Sequence, residues 1–280
     1  MQPSLGIIAG SGSYPLLLAR SARAAGVSRV VAAAFEHETD PVLPTLVDHT
    51  EWMRVGQLGR LLSFFQKQGV DRAIMAGQIA PKNLFDLRPD LKALLLLGGL
   101  RERNAESLFG AVADALAKAG VTLLPATTYL EDHLAAAGHL AGPAPGKRAR
   151  LDVRFALRTA KATSALDIGQ SVVVRHGTVL AVEAFEGTDA AIRRGGELAG
   201  TRGGATLGKV SKSNQDLRFD VPVIGPRTLQ TAGEARLSAI AVEAGRTLLL
   251  DRPEIARLAE RYKISVVGVE TGEAGNNLPA

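Results

Sequence analysis

Cysteine is absent from the 280 residues. Its absence excludes a disulfide scaffold, thiolate zinc or iron–sulfur centres and a thiol nucleophile, and leaves oxygen, imidazole, amine or metal chemistry for any catalysis. Aromatic residues are scarce too: eight Phe, three Tyr and one Trp make up 4% of the chain. So few ring faces offer little for base stacking, and no nucleic-acid partner is expected. Long apolar runs are also missing. The longest near the middle lies within Leu91 to Leu100, far short of the ~20 residues that cross a bilayer. The opening MQPSLGIIAGSG has no charged segment before its apolar stretch, which breaks at glycine, so it reads as a strand entering a turn rather than an export signal. A soluble, unexported protein is the expectation.

What is present suffices for about two domains. Hydrophobic residues make up 46% of the chain, and 33 Lys plus Arg against 28 Asp plus Glu leave a net charge of +5. Such a balance by itself favours anionic partners: nucleic acid, which the few aromatics weaken, a phosphorylated metabolite or an anionic lipid surface.

Short apolar runs alternate with amphipathic stretches in the first half. Leu5 to Ala9, Val30 to Phe35, Ala73 to Ala76 and Val121 to Pro125 read as strands; Pro15 to Ala25, Gly56 to Gln68 and Ala111 to Ala119 read as helices. That order predicts a Rossmann-like parallel sheet over 1–132. The Ala/Gly/Pro-rich residues 133–146 read as a linker, and 147–280 as a distinct mixed α/β domain. In this second part SVVV and TVLAVEAF flank His176-Gly177, a two-residue hairpin signal. Strands are expected over Ala205 to Val210, Leu217 to Ile224 and Ile264 to Val269, and helices over Asp189 to Ala199, Gly233 to Ala244 and Pro253 to Tyr262. The fold class is therefore α/β, two domains with a ligand cleft between them.

After the first strand comes Gly10-Ser11-Gly12, where glycines let backbone N–H groups approach an anion at a helix N-terminus. Pro15 stands where a dinucleotide fingerprint has its third glycine, so a tight strand-to-helix turn is an equal reading. Glu36, at the end of the second strand, is where a ribose acceptor would lie. Gly77-Gln78 follow a later strand and would face the same crevice.

The second half holds the densest polar chemistry. In an extended segment Asp216, Arg218 and Asp220 would share one face, with Leu217, Phe219 and Val221 on the other. Two carboxylates beside a guanidinium suit a hard cation next to a phosphate, with Lys209 and Lys212 upstream to neutralise a pyrophosphate; the bland alternative is an exposed strand of paired charges. Glu183, Glu186 and Asp189 form a second acidic group, part of it a helix cap. The five histidines show no metal spacing, and no serine sits in a nucleophile elbow. Lys147, Arg150, Arg154, Arg158 and Lys161 recur at helical spacing as one basic face, which is either solvated or meets anionic lipid.

AGSGSYP, DIGQSVVV, AVEAFEGTDAAIRR and KVSKSNQDLRFDVPVIGPRT together resemble the LpxI family of UDP-2,3-diacylglucosamine pyrophosphatases, enzymes of lipid A biosynthesis in Gram-negative bacteria. The resemblance covers nearly the whole chain and is most specific from Asp167 to Thr228. It implies Mg²⁺-dependent hydrolysis of UDP-2,3-diacylglucosamine to UMP and 2,3-diacylglucosamine 1-phosphate. The family's QDxRxDxP segment falls on Gln215, Asp216, Arg218, Asp220 and Pro222, and its EGTD on Glu186, Gly187, Thr188 and Asp189. Motifs and resemblance together give Asp220, Asp216 and Lys209 as catalytic candidates. They give Gly10, Ser11, Gly12, Gly77, Gln78, Gln170, Thr188, Lys212, Gln215 and Arg218 as substrate contacts, and Asp220, Asp189 and Glu186 as Mg²⁺ ligands. The expected partners are the lipid substrate and product at the cytoplasmic face of the inner membrane, where the protein would be peripheral, with a homodimer as one option. The alternative is a nucleotide-sugar or dinucleotide sensor without turnover; a Rossmann oxidoreductase is disfavoured by Pro15.

Overall fold

A computed structural model describes residues 4–79, 89–100, 105–212, 216, 218 and 221–271. The chain divides into two compact units, one running through Glu131 and taking in Asp216 and Arg218, the other beginning at Asp132.

In the first unit, β1 (Ser4–Ala9), β2 (Arg29–Phe35), β3 (His49–Met53), β4 (Arg72–Ala76) and β5 (Thr122–Leu123) form a sheet in the order β3-β2-β1-β4-β5. Every pairing is parallel. Parallel sheets carry helices on their faces, so the central strands are apolar almost throughout; β1 and β2 are buried after their first residue. The helices are α1 (Tyr14–Ala24), α2 (Leu58–Gln68), α3 (Leu91–Gly98) and α4 (Ala105–Lys118). Phe65 of α2 and Leu116 of α4 are fully buried in a core with Val31, Ala33 and Ala73 of the sheet. Pro15 lies in the first turn of α1, where a missing N–H costs nothing. The chain moves outward from β1 through β2 to β3 and then crosses to β4, so the switch point lies between β1 and β4, at whose carboxyl ends such sheets bind ligands.

The second unit holds a six-stranded sheet in the order β6-β13-β11-β9-β7-β8. Its strands are β6 (Gly138–Ala141), β7 (Ser171–Arg175), β8 (Thr178–Val182), β9 (Thr206–Lys209), β11 (Ala239–Glu243) and β13 (Ser265–Val269). β9, β11 and β13 run parallel, while β6, β7 and β8 are antiparallel to their neighbours. Strand alternation splits the core in two. Val172, Val174, Ala239 and Ala241 pack on α5 (Lys147–Ala165) through Val153, Ala156, Leu157 and Ala160. Val173, Ile240 and Val242 face the opposite core, which takes Ile192 of α6 (Thr188–Leu198), Leu229 of α7 (Pro226–Glu234) and Leu258 of α8 (Arg252–Tyr262). A small parallel pair, β10 (Val223–Ile224) with β12 (Leu248–Leu249), completes the unit.

Several expectations give way here. Residues 133–146, read as a linker, contain β6, which pairs with β13. The strand expected over Leu217 to Ile224 shortens to β10, with Arg218 in a turn. The helix expected over Gly233 to Ala244 is the end of α7 followed by β11, a strand buried at every position; its short Ala/Val residues are compatible with either state, and tertiary pairing decides. The basic face of α5 loses Lys161, whose ammonium turns inward to Glu243. His176-Gly177 is the expected turn: both residues have positive φ, and both N–H groups donate to the buried Asp152 carboxylate at 2.8 and 2.9 Å.

Candidate functional site

The carboxyl ends of β8 and β9 and the start of β7 meet at one edge of the second sheet, because β7 is antiparallel to both. Lys209, the last residue of β9, is 5% exposed. Its Nζ donates to Thr188 Oγ1 at 3.0 Å, and Thr188 Oγ1 donates to Glu183 Oε1 at 2.8 Å. Ser171 Oγ lies 3.4 Å from the same hydroxyl. Thr188 opens α6, so one helix N-terminus fixes the hydroxyl through which the ammonium and carboxylate are joined. Among the described residues, Glu183 Oε2 and Gln170 Oε1 are buried without a hydrogen-bond partner. Buried acceptors are rarely left so, and two at one sheet edge mark a place where a ligand or ion can complete them. The structure thus gathers Lys209 and Thr188, with Gln170 at the same edge through its carbonyl bond from Val210 N.

The expected Mg²⁺ ligands do not gather there. Glu186 pairs with Arg194 at 3.0 Å and accepts from Ala184 N, and Asp189 pairs with Arg227 at 2.6 Å. Among the described residues no group of three acids or histidines is placed to hold a metal ion. Glu186 and Asp189 are thus each paired with a guanidinium in this structure. Asp220 lies outside the described residues, as does Gln215.

Asp216 and Arg218 do come together, but as a turn rather than an extended strand. Arg218 Nε and Nη2 reach the Asp216 carboxylate at 3.0 and 2.6 Å, and Arg218 N donates to Oδ1 at 3.0 Å. The Arg218 hydrogen bonds hold the Asp216 carboxyl below its ordinary range despite some desolvation. Asp216 is thus a clamp on the guanidinium, poorly suited to take a proton. Lys212 pairs with Asp167.

Following β9, Ser211 is fixed by a buried cluster that sequence reading missed. Ser211 N and Oγ both donate to Glu243 Oε2, at 2.8 and 2.7 Å, and Lys161 Nζ lies 2.8 Å from the same oxygen. Lys161 also donates to Ser211 O at 2.8 Å, and Thr271 Oγ1 donates to Glu243 Oε1. Burial alone would raise the Glu243 carboxyl; the hydrogen bonds from Lys161, Thr271 and Ser211 outweigh it and hold it below its ordinary value. No sequence signal marked Glu243, since the pattern around it read as helix.

In the first unit the two glycine turns cross each other. Ser11 N donates to Gln78 O at 2.7 Å, Gln78 N to Ser11 O at 3.3 Å, and Ser11 Oγ to Gln78 O at 2.8 Å. A side chain would not fit: a Cβ on Gly10 would stand 2.5 Å from Gln78 O, and one on Gly77, at φ +91°, 2.5 Å from Ser11 O. The turns thus spend the Gly10 and Ser11 amides on protein carbonyls, which removes them as phosphate donors; Gly12 follows at φ +86° with open space beside it. Glu36 lies 3.6 Å from Arg54.

Family models match the chain on both sides of this division: the LpxI N-terminal domain over residues 4–133 and the LpxI C-terminal domain over 136–267. UDP-2,3-diacylglucosamine pyrophosphatase LpxI of Caulobacter vibrioides is 33% identical over 278 residues, covering 96% of this chain and 98% of its own. Solved structures with some likeness include the biotin carboxylase subunit of a pyruvate carboxylase (15% identity, 66% of this chain and 39% of that one, TM-score 0.27). The biotin carboxylase domain of Hydrogenobacter thermophilus 2-oxoglutarate carboxylase is comparable (11% identity, 70% and 41%, TM-score 0.28). The chain spans about two fifths of those carboxylases, and such TM-scores carry no weight for fold or function.

Proposed function

Since this chain belongs to the LpxI family, we propose that it hydrolyses the pyrophosphate of UDP-2,3-diacylglucosamine, giving UMP and 2,3-diacylglucosamine 1-phosphate. Water adds across the P–O–P bond, its oxygen going to one phosphorus while the bridging oxygen stays with the other. The observation that carries the reading is the near full-length likeness to the Caulobacter vibrioides enzyme. The buried sheet edge supports it: the Lys209 ammonium, steered by Thr188 and Glu183, would stabilise charge that grows on the phosphates as the bond breaks. Arg218, held by Asp216, and Lys212 would bind the phosphates, with Gln215, Thr188 and Gln170 as further contacts. Gly12 and Gln78 border the crossed turns of the first unit and belong to its substrate contacts.

Asp220 is the proposed essential acid. Mg²⁺ is the proposed cofactor, with Asp220 as its proposed carboxylate ligand. One carboxylate suits Mg²⁺, which completes its shell with substrate phosphates and water, and when bound it would neutralise pyrophosphate charge. The protein would work in the cytoplasm, peripheral to the inner membrane that holds its lipid substrate. Incubation with UDP-2,3-diacylglucosamine and Mg²⁺ should release UMP; excess chelator, or Asp220→Ala, should abolish turnover while substrate binding persists in the variant. Binding without UMP release by the unaltered protein would instead favour the sensor.

A further inference from the structure

Ser171 stands opposite Lys209 across β7 and β9, and on its other side Glu183 N donates to Ser171 O at 2.9 Å. Three strands thus set Lys209, Ser171 and Glu183 in a row on one face of the sheet. Thr188 comes down on the middle of that row. Its Oγ1 accepts from Lys209 Nζ at 3.0 Å, donates to Glu183 Oε1 at 2.8 Å and lies 3.4 Å from Ser171 Oγ. Ser171, Lys209 and Glu183 are buried, the last at 8% exposure, and of the four Thr188 alone is partly exposed.

This is more than a helix cap needs. A capping hydroxyl accepts from N–H groups of its own helix, whereas α6 has Gly187 at its N-cap and Thr188 turns its hydroxyl to the sheet. A hydroxyl held between a carboxylate that can take its proton and a cation that stabilises its oxygen has the arrangement of an activated nucleophile. Glu183 has room for that proton, since among the described residues its Oε2 has no hydrogen-bond partner. Position adds a further element. Thr188 is the first residue of α6, and the first-turn N–H groups of a helix, which lack intrahelical partners, suit a phosphoryl group.

We propose that Thr188 is the nucleophile of the reaction, so that hydrolysis, resting on the function proposed above, runs through a phosphothreonine ester. In the first step Oγ1 bonds to one phosphorus and its proton passes to Glu183. The bond from that phosphorus to the bridging oxygen breaks, and the bridging oxygen leaves on the other phosphate. In the second step the oxygen of water bonds to the same phosphorus, the bond to Oγ1 breaks, and Oγ1 takes its proton back from Glu183. One proton of the water stays on the new phosphate monoester and the other goes to solvent. The Lys209 ammonium stays on Oγ1 throughout and stabilises the charge it carries as each bond forms or breaks.

The deciding measurement uses the unaltered protein and Mg²⁺. Hydrolysis of UDP-2,3-diacylglucosamine in oxygen-18 water shows which phosphorus gains the label. Substrate with sulfur in one non-bridging position of that phosphorus, as a single isomer, is then hydrolysed in the same water. Each in-line displacement inverts phosphorus, so two displacements should leave its configuration retained. Inversion would overturn the proposal and leave the hydrolase reading intact, whereas failure to release any UMP would overturn both. Variants confirmed folded by thermal melting locate the nucleophile. Thr188→Val should lower kcat by ~10³-fold or more, while Thr188→Ser, which keeps the hydroxyl, should stay within about tenfold of the unaltered protein and still give retention. Glu183→Gln should lower kcat by ~10²–10⁴-fold. A Thr188→Val protein within about tenfold of the unaltered kcat would overturn the assignment even if configuration is retained.

Discussion

In the proposed reaction, Lys209 is the residue on which the chemistry of the second unit would turn. A nearly buried ammonium is costly unless its charge is used, and here one of its protons goes to a hydroxyl already committed to Glu183. That chain of bonds fixes the Lys209 Nζ in place before substrate arrives, as electrostatic catalysis requires. Lys209→Met should lower kcat by ~10²-fold or more; a change confined to KM would mean that the ammonium binds ground and transition states equally. Glu243 is the structural counterpart. Its native carboxyl titrates below the ordinary value of 4.5, so the stability it contributes is complete above that value and is lost as pH falls through the lower native one. Glu243→Gln should flatten this acid limb. It should also cost on the order of 3 kcal/mol at neutral pH, because Lys161 is left without its counter-charge; the loss is moderate since that side chain keeps 17% exposure. Urea melts between neutral and acidic pH would show both effects, and parallel pH curves for the two proteins would remove Glu243 from this role.

At the scale of elements, the crossing of the two glycine turns is the feature most open to test. Gly77→Ala meets two penalties, a positive φ and a Cβ pressed on Ser11 O, whereas Gly69→Ala, at the C-cap of α2 with φ +63°, meets only the first. The first penalty is about 1–2 kcal/mol, so Gly77→Ala should melt at a lower temperature than Gly69→Ala and alone should lose substrate affinity. Equal melting temperatures would mean that the turns separate freely. Both turns were legible in sequence because glycines after apolar runs are strong punctuation. So were the βαβ order and the hairpin at His176-Gly177, where period and turn chemistry agree. β3 was not: HTEWM is an edge strand with His49 exposed, and its polar composition hides it. α3 was seen as an apolar run but not as a helix, because leucines on every face erase periodicity. The alternation of Asp216, Arg218 and Asp220 suggested a strand, yet Asp216 Oδ1 captures the Arg218 backbone N–H, the local competition by which short acidic side chains make turns. The buried site was half legible. Charge density drew attention to Lys209, Thr188 and the acids, but which acid is buried (Glu183) and which are spent on arginines depends on long-range packing that one sequence does not display.

For the molecule as a whole, no described helix is long and apolar enough to cross a membrane; the proposed diacylated substrate would have to be drawn from a lipid surface, and two faces would compete for that contact. One is the basic face of α5, now reduced to Lys147, Arg150, Arg154 and Arg158 by the inward turn of Lys161. The other is the outer face of α3. They differ in physics: attraction of basic residues to anionic lipid is worth about 1 kcal/mol per charge and fades beyond a Debye length, so added salt weakens it, whereas burial of leucine is indifferent to moderate salt. Arg150 and Arg158 are exposed, and Arg158 lies over the Phe155 ring, 5.7 Å from its centroid, so reversing both to Glu should leave the fold and the hydrolysis of detergent-dispersed substrate intact while lowering affinity for anionic vesicles at low salt only. Leu94→Gln with Leu95→Gln should lower vesicle affinity at low and high salt alike, by about tenfold or more, since each leucine withdrawn from hydrocarbon costs about 1.5–3 kcal/mol when fully buried and these two are exposed in the free protein. Sedimentation with vesicles of neutral and anionic lipid, across a salt series, separates the two contributions. If the leucine pair has no effect at high salt, α3 does not enter the lipid layer, and the basic face of α5 is left as the face that meets it.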